Sequence, residues 1–253
     1  MASIRARIKP AGGFSHIVHI LLLALLPALV FVFVRLHFFG LAAALILLAK
    51  WRMLAVKPRH WFANILANAV DIIVGLSLLV FMIQASSQLV QFIWAVVYGM
   101  WLILLKPRSD QFSVAAQAWA AQTVGLSALF LYFGDRPLYV LVILGWACCY
   151  MAARHFFTAF DEPLSRYLAG SWGYFAAALI WLLGHWLMFY TSITQPTLIL
   201  SAAGLGLAGI YYLEKSDRLT KLIRREVLFM VAAVVVGMCV SLVWQTYRLR
   251  SQL

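Results

Sequence analysis

Residues 67–81 read ANAVDIIVGLSLLVF, a run with a single carboxylate, Asp71, and mostly apolar residues on both sides of it. A soluble amphipathic helix keeps its charges on the face away from its apolar stripe. A charge set among apolar residues on nearly all sides belongs instead to a helix crossing lipid, with the charge turned into a bundle or a wet cavity. The apolar run around Asp71 extends from about residue 61 to 84, enough helix to cross a hydrocarbon layer of about 30 Å at about 1.5 Å per residue.

The rest of the chain agrees with that reading. Of its 253 residues, 65% are apolar and 11% charged, with a mean hydropathy of +0.93; soluble domains have roughly 45–50% and 25%. Apolar runs recur at 16–34, 36–50, 61–84, 88–105, 111–133, 138–156, 167–190, 197–213 and 226–245. They predict an all-α, polytopic transmembrane bundle of nine spans, one integral-membrane domain over 1–253 with no separate soluble domain. The first two runs are separated only by Arg35-Leu36-His37, and merging them gives an eight-span alternative. The basic N-terminal residues followed by an apolar stretch resemble a signal peptide, but no clean small-residue exit precedes Val34, and the stretch reads as a retained first span.

Lysine and arginine fix the expected orientation. With the N-terminus inside, sixteen of the twenty fall in inner segments: Arg5, Arg7, Lys9, Lys50, Arg52, Lys57, Arg59, Lys106, Arg108, Arg154, Arg166, Lys215, Arg218, Lys221, Arg224 and Arg225. The outer side keeps Arg35, Arg136, Arg248 and Arg250. This positive-inside bias predicts a cytoplasmic N-terminus and an outer C-terminus, in a plasma or inner membrane. The formal charge of +12 therefore points to anionic lipid at the basic inner loops rather than to nucleic acid. In EKSDRLTKLIRRE, residues 214–226, Leu219, Leu222 and Ile223 share a helical face, the pattern of an interfacial helix.

There are echoes of repetition. VGLS stands at 74–77 and 124–127, and W-A-x-x-Y at 94–98 and 146–150. The spacing of about fifty residues suits tandem helical hairpins, each crossing twice.

Asp71 heads the residues that could carry chemistry. Asn64, Asn68, Asp71 and Gly75 fall at i, i+4, i+7 and i+11, one stripe of a helix. By depth, the nearest polar partners are Gln122 and Thr123 of the fifth span, with Gln117 below, and these residues make up the candidate intramembrane polar site. The lysines and arginines fall at span ends or in connections, so none is expected as counter-ion and the carboxyl is expected neutral. Ser77, Ser127 and His185 are weaker candidates for a serine–histidine pair; both GLS segments lack the second glycine of GxSxG. His16, His19, His60 and His155 come from three segments, with no carboxylate or cysteine at ligand spacing. Cys148, Cys149 and Cys239 read as small packing residues. GLGLAG at 204–209 fits GxGxxG but follows no strand, so its glycines read as helix-packing positions. Asp161 and Glu162 are expected to favour the start of the seventh span and to pair with Arg154 or Arg166. Tryptophans and tyrosines near span ends form an aromatic belt.

No cofactor or metal is implied, and no reaction signature is present. Two function classes fit: a small transporter or permease-like protein with a carboxylate at the midplane, or a non-catalytic membrane subunit packing against a partner protein or a second copy. An intramembrane enzyme acting on lipid or peptide ranks behind both.

Overall fold

The computed structural model describes residues 14–51, 57, 59, 61–186 and 194–250. Among them the chain is all-helical, with no strand. The elements are α1 (Phe14–Arg35), α2 (Phe39–Leu48), α3 (Trp61–Gln84), α4 (Gln88–Met100) running into a π-helical turn (Trp101–Leu105), α5 (Gln111–Phe133), α6 (Leu138–Ala159), α7 (Ser165–Trp186), α8 (Gln195–Lys215) and α9 (Lys221–Arg250). Among the described residues, six segments are long and apolar enough to cross a membrane: Asn64–Gln84, Gln88–Leu105, Gln111–Phe133, Leu138–Ala159, Ser165–His185 and Gln195–Lys215. A helical bundle of this composition is compatible with a membrane protein.

The helix boundaries have local causes. Ser87 accepts from the amide of Val90 to start α4, and Asp110 accepts from the amide of Ser113 to start α5. Proline stands immediately before α6 (Pro137) and in the first turn of α8 (Pro196), where a missing N–H costs nothing. Three helices end on a non-glycine residue in the left-handed region, His37, Asp161 and Asp217. In each case the next amide reaches back to an orphan carbonyl, as Phe38 does to Phe33 at 2.9 Å.

Two expectations need correction. The second apolar run yields an α2 of ten residues, about 15 Å of helix and half the thickness a crossing needs. In addition, the basic segment after α8 does not form a helix of its own: Thr220 accepts from the amide of Ile223, so Leu222 and Ile223 lie in the first turn of α9. A hydroxyl cap at 220 starts the helix there, and the following apolar run continues it.

Packing divides into two apolar clusters. One joins α1 to α4, with Val30, Ile46, Leu78, Met82, Tyr98 and Trp101 at its centre. The other joins α5 to α8 around Leu126, Leu141, Cys149, Ile180 and Leu200. Ile73 of α3 packs against both. The seam depends on Gly125, where a Cβ would stand 2.6 Å from the Cys148 sulfur and 2.7 Å from Ile73. Only a residue without a side chain lets α5 pass between α3 and α6 at that level. Gly75, one turn beyond Asp71, similarly makes room for the Tyr98 hydroxyl, 2.9 Å from where a Cβ would be.

Candidate functional site

Asp71 lies ten residues into α3, about 15 Å from its start, in the half of the helix nearer the basic connections. The Lys50 ammonium donates to its Oδ2, and the Lys106 ammonium stands 3.3 Å from the same oxygen. The Trp101 indole N–H donates to Oδ1 at 3.3 Å. The Asp71 and Lys50 side chains are only 13% and 12% exposed, while Lys106 keeps 35%.

The expectation that Asp71 lacks a basic counter-ion is therefore wrong. Both lysines read as connection residues because each follows an apolar run. Lys50 reaches Asp71 because α2 descends only about 15 Å before it stops, which leaves the chain at the depth of the carboxylate. Lys106 reaches it from the end of the π turn, which also aims Trp101 inward. Two ammonium groups and one carboxylate leave the cluster with a net charge of +1.

The residues expected around Asp71 separate into distinct places. Asn68 donates to the Asn64 carbonyl at 2.9 Å within α3. Gln117 donates to the carbonyls of Leu105, at 2.6 Å, and Arg108, at 3.0 Å. It thereby satisfies carbonyls freed where the π turn ends. Gln122 lies in the other half of the molecule: it donates to the Leu200 carbonyl at 2.9 Å and accepts from the Trp172 indole at 2.8 Å. Thr123 bonds back to Trp119 in its own helix. The polar residues of α5 thus tie α5 to the π-turn exit and to α7 and α8.

The serine–histidine constellation is not assembled. Ser77 and Ser127 each donate to the carbonyl one turn back, Ile73 and Thr123. His185 is exposed and bonds to the Trp181 carbonyl. Of the remaining histidines, His155 on α6 has a buried Nε2 with no hydrogen-bond partner among the described residues. The side chains of His16, His19 and Cys239, and residue His60, lie outside the described residues. Among the described residues no three His, Cys, Asp or Glu side chains gather as metal ligands. Cys148 and Cys149 are buried and unpaired.

Glu162 also departs from expectation. It accepts from the Tyr211 hydroxyl and pairs with Lys215 at 3.1 Å, both on α8, while Arg154 donates to Ser165. The Tyr211 hydroxyl, then Lys215, hold the Glu162 carboxyl below the usual range. Asp161 cannot start α7 because it closes α6.

A cavity of about 580 Å³ lies beside this contact, between α5, α6, α7 and α8, a volume typical of small-ligand sites. Its walls are mainly apolar, with Gln122 and Trp172 at the deep end and Tyr211 and Glu214 toward the basic end. It was not legible in the sequence, because its walls come from four helices at once. No family model, curated protein or solved structure matches the chain.

Proposed function

We propose that the chain is a small permease-like membrane protein in which a proton or cation at Asp71 biases two arrangements of the basic end of the bundle. The observation that carries this reading is one carboxylate shared by two lysines. They come from segments that each interrupt a regular helix, the early end of α2 and the π turn after α4. Ionisable groups within a span mark ion pathways, carriers build their sites at broken helices, and π turns concentrate at functional positions. Neutralising Asp71 removes the charge that holds two like charges together in poorly screened surroundings. Lys50 and Lys106 then repel, and expelling either one moves the α2–α3 connection or the end of α4. Oriented by its basic connections, the chain has a cytoplasmic N-terminus and an outer C-terminus in a plasma or inner membrane. Arg218, Lys221, Arg224 and Arg225 then face anionic lipid.

The test is solute flux into proteoliposomes under an imposed pH gradient, across a panel of small amines and organic acids. The double variant Lys50→Met/Asp71→Asn carries no more unpaired charge than the wild type, so it is expected to fold and insert normally but to lose gradient-driven flux. Flux retained in that variant overturns the reading.

The near closure of the Asp71–Lys50 pair favours a second reading, a non-catalytic membrane subunit whose buried charges hold helices together. It predicts no flux in the wild type and retention of a partner protein or a second copy on mild extraction.

A further inference from the structure

The cavity between α5 and α8 has a chemistry unlike that of the Asp71 cluster. At its deep end every polar side-chain group named is already committed. The Trp172 indole donates to Gln122, the Gln122 amide donates to the Leu200 carbonyl, and the Trp119 indole donates to the Ser201 carbonyl at 2.9 Å. What remains facing the space is ring and methyl surface, including Ala118, Ala208 and Leu207, broken by the Ser171 hydroxyl. A polar solute placed there would give up its water for a single hydroxyl, whereas a hydrocarbon chain loses nothing.

Dimensions point the same way. Along α8 the cavity runs from Gly204 to Glu214, ten residues and about 15 Å, half of a hydrocarbon core about 30 Å thick. Its walls belong to segments long and apolar enough to cross a membrane. Leu168, Phe175 and Leu207 on the outer rim, at 38%, 47% and 52%, are exposed to what surrounds the bundle. The space therefore matches one leaflet's depth of acyl chain and opens sideways, where acyl chains are.

The mouth has a definite charge. Glu162 takes both the Tyr211 hydroxyl and the Lys215 ammonium. Glu214, which lines the opening, has no ion pair among the described residues. Hydrocarbon below and a carboxylate without an ion pair among the described residues above fit an amphipath with an ammonium headgroup.

We propose that this cavity is a binding site for an aminophospholipid of the phosphatidylethanolamine type, with one acyl chain between α7 and α8 and its ammonium on Glu214. The proposal rests on the membrane setting of the chain and not on any role of Asp71.

Native mass spectrometry of the detergent-purified full chain tests it, with added phosphatidylethanolamine and phosphatidylglycerol of identical acyl chains. One phosphatidylethanolamine is expected to stay bound, favoured by up to about fivefold, as suits a single partly solvated ion pair. Glu214→Gln should abolish that preference while leaving binding of both lipids, and Ala208→Phe, which fills the cavity, should abolish binding of both. Equal retention of the two lipids by the wild type, or an unchanged preference in Glu214→Gln, overturns the proposal. Should Ala208→Phe fail to fold, the Glu214→Gln comparison decides alone.

Discussion

The Lys50 ammonium, two residues beyond the end of α2, donates to the Asp71 carboxylate in the middle of α3. A chain segment that reads as a basic connection is thus drawn into the bundle, and the shortness of α2 and the burial of Asp71 are two sides of one arrangement. Breaking a buried pair from one side leaves the other charge desolvated and uncompensated, at a cost of about 3–5 kcal/mol. Replacing both partners by apolar groups avoids that cost.

The two lysines are expected to be unequal. Lys50→Met removes the closely bonded, nearly enclosed partner, whereas Lys106→Met removes one that keeps a third of its side chain in contact with the surroundings. Thermal or denaturant unfolding in mild detergent should show a loss of several kcal/mol for the first and about 1 kcal/mol or less for the second. Equal losses would mean that the carboxylate is shared evenly.

Gly125→Ala places a methyl group 2.6 Å from the Cys148 sulfur and 2.7 Å from Ile73, in the seam between the two apolar clusters. Overpacking of that kind costs about 1–3 kcal/mol. Gly40→Ala meets nothing within 4 Å, and in the first turns of α2 it should be neutral or slightly stabilising. The difference between the two melting temperatures checks the packing of α5 against α3 and α6.

The Glu162 contact with α8 has a pH dependence whose sign is fixed. Its folded-state carboxyl lies below the ordinary value of 4.5 because Tyr211 and Lys215 stabilise the charged form. The stability it contributes is present above that ordinary value and is lost as pH falls through the lowered one. A series of melting temperatures from pH 7 downward should fall more steeply below about pH 4.5 in the wild type than in Tyr211→Phe, which lacks the hydroxyl. Identical profiles would remove Tyr211 from the account.

Much of the fold was legible in the sequence because the apolar runs are bounded by turn and capping residues. The runs read as starting at 88, 111, 138 and 197 correspond to helices starting at Gln88, Gln111, Leu138 and Gln195, behind Ser87, Asp110, Pro137 and Thr194. The stripe through Asn68, Asp71 and Gly75 was legible too, since helical spacing puts residues on one face whatever surrounds them. Which helix that face meets was not legible. Depth arithmetic placed Gln122 at the level of Asp71, but level does not determine neighbours, and Gln122 turns to Trp172 and Leu200 instead. Lys50 was missed because a charge after an apolar run reads as the end of a crossing. The twelve or so apolar residues before it were the signal that the crossing was incomplete.

A charge exchange between Lys50 and Asp71 tests the central claim most directly. Lys50→Asp and Asp71→Lys should each lower the unfolding free energy by about 3–5 kcal/mol, since each buries like charges together. The double variant Lys50→Asp/Asp71→Lys should recover most of that loss, a coupling that only residues in contact produce. A double variant whose loss equals the sum of the two single losses would contradict the pairing of α2 with α3 through these two side chains.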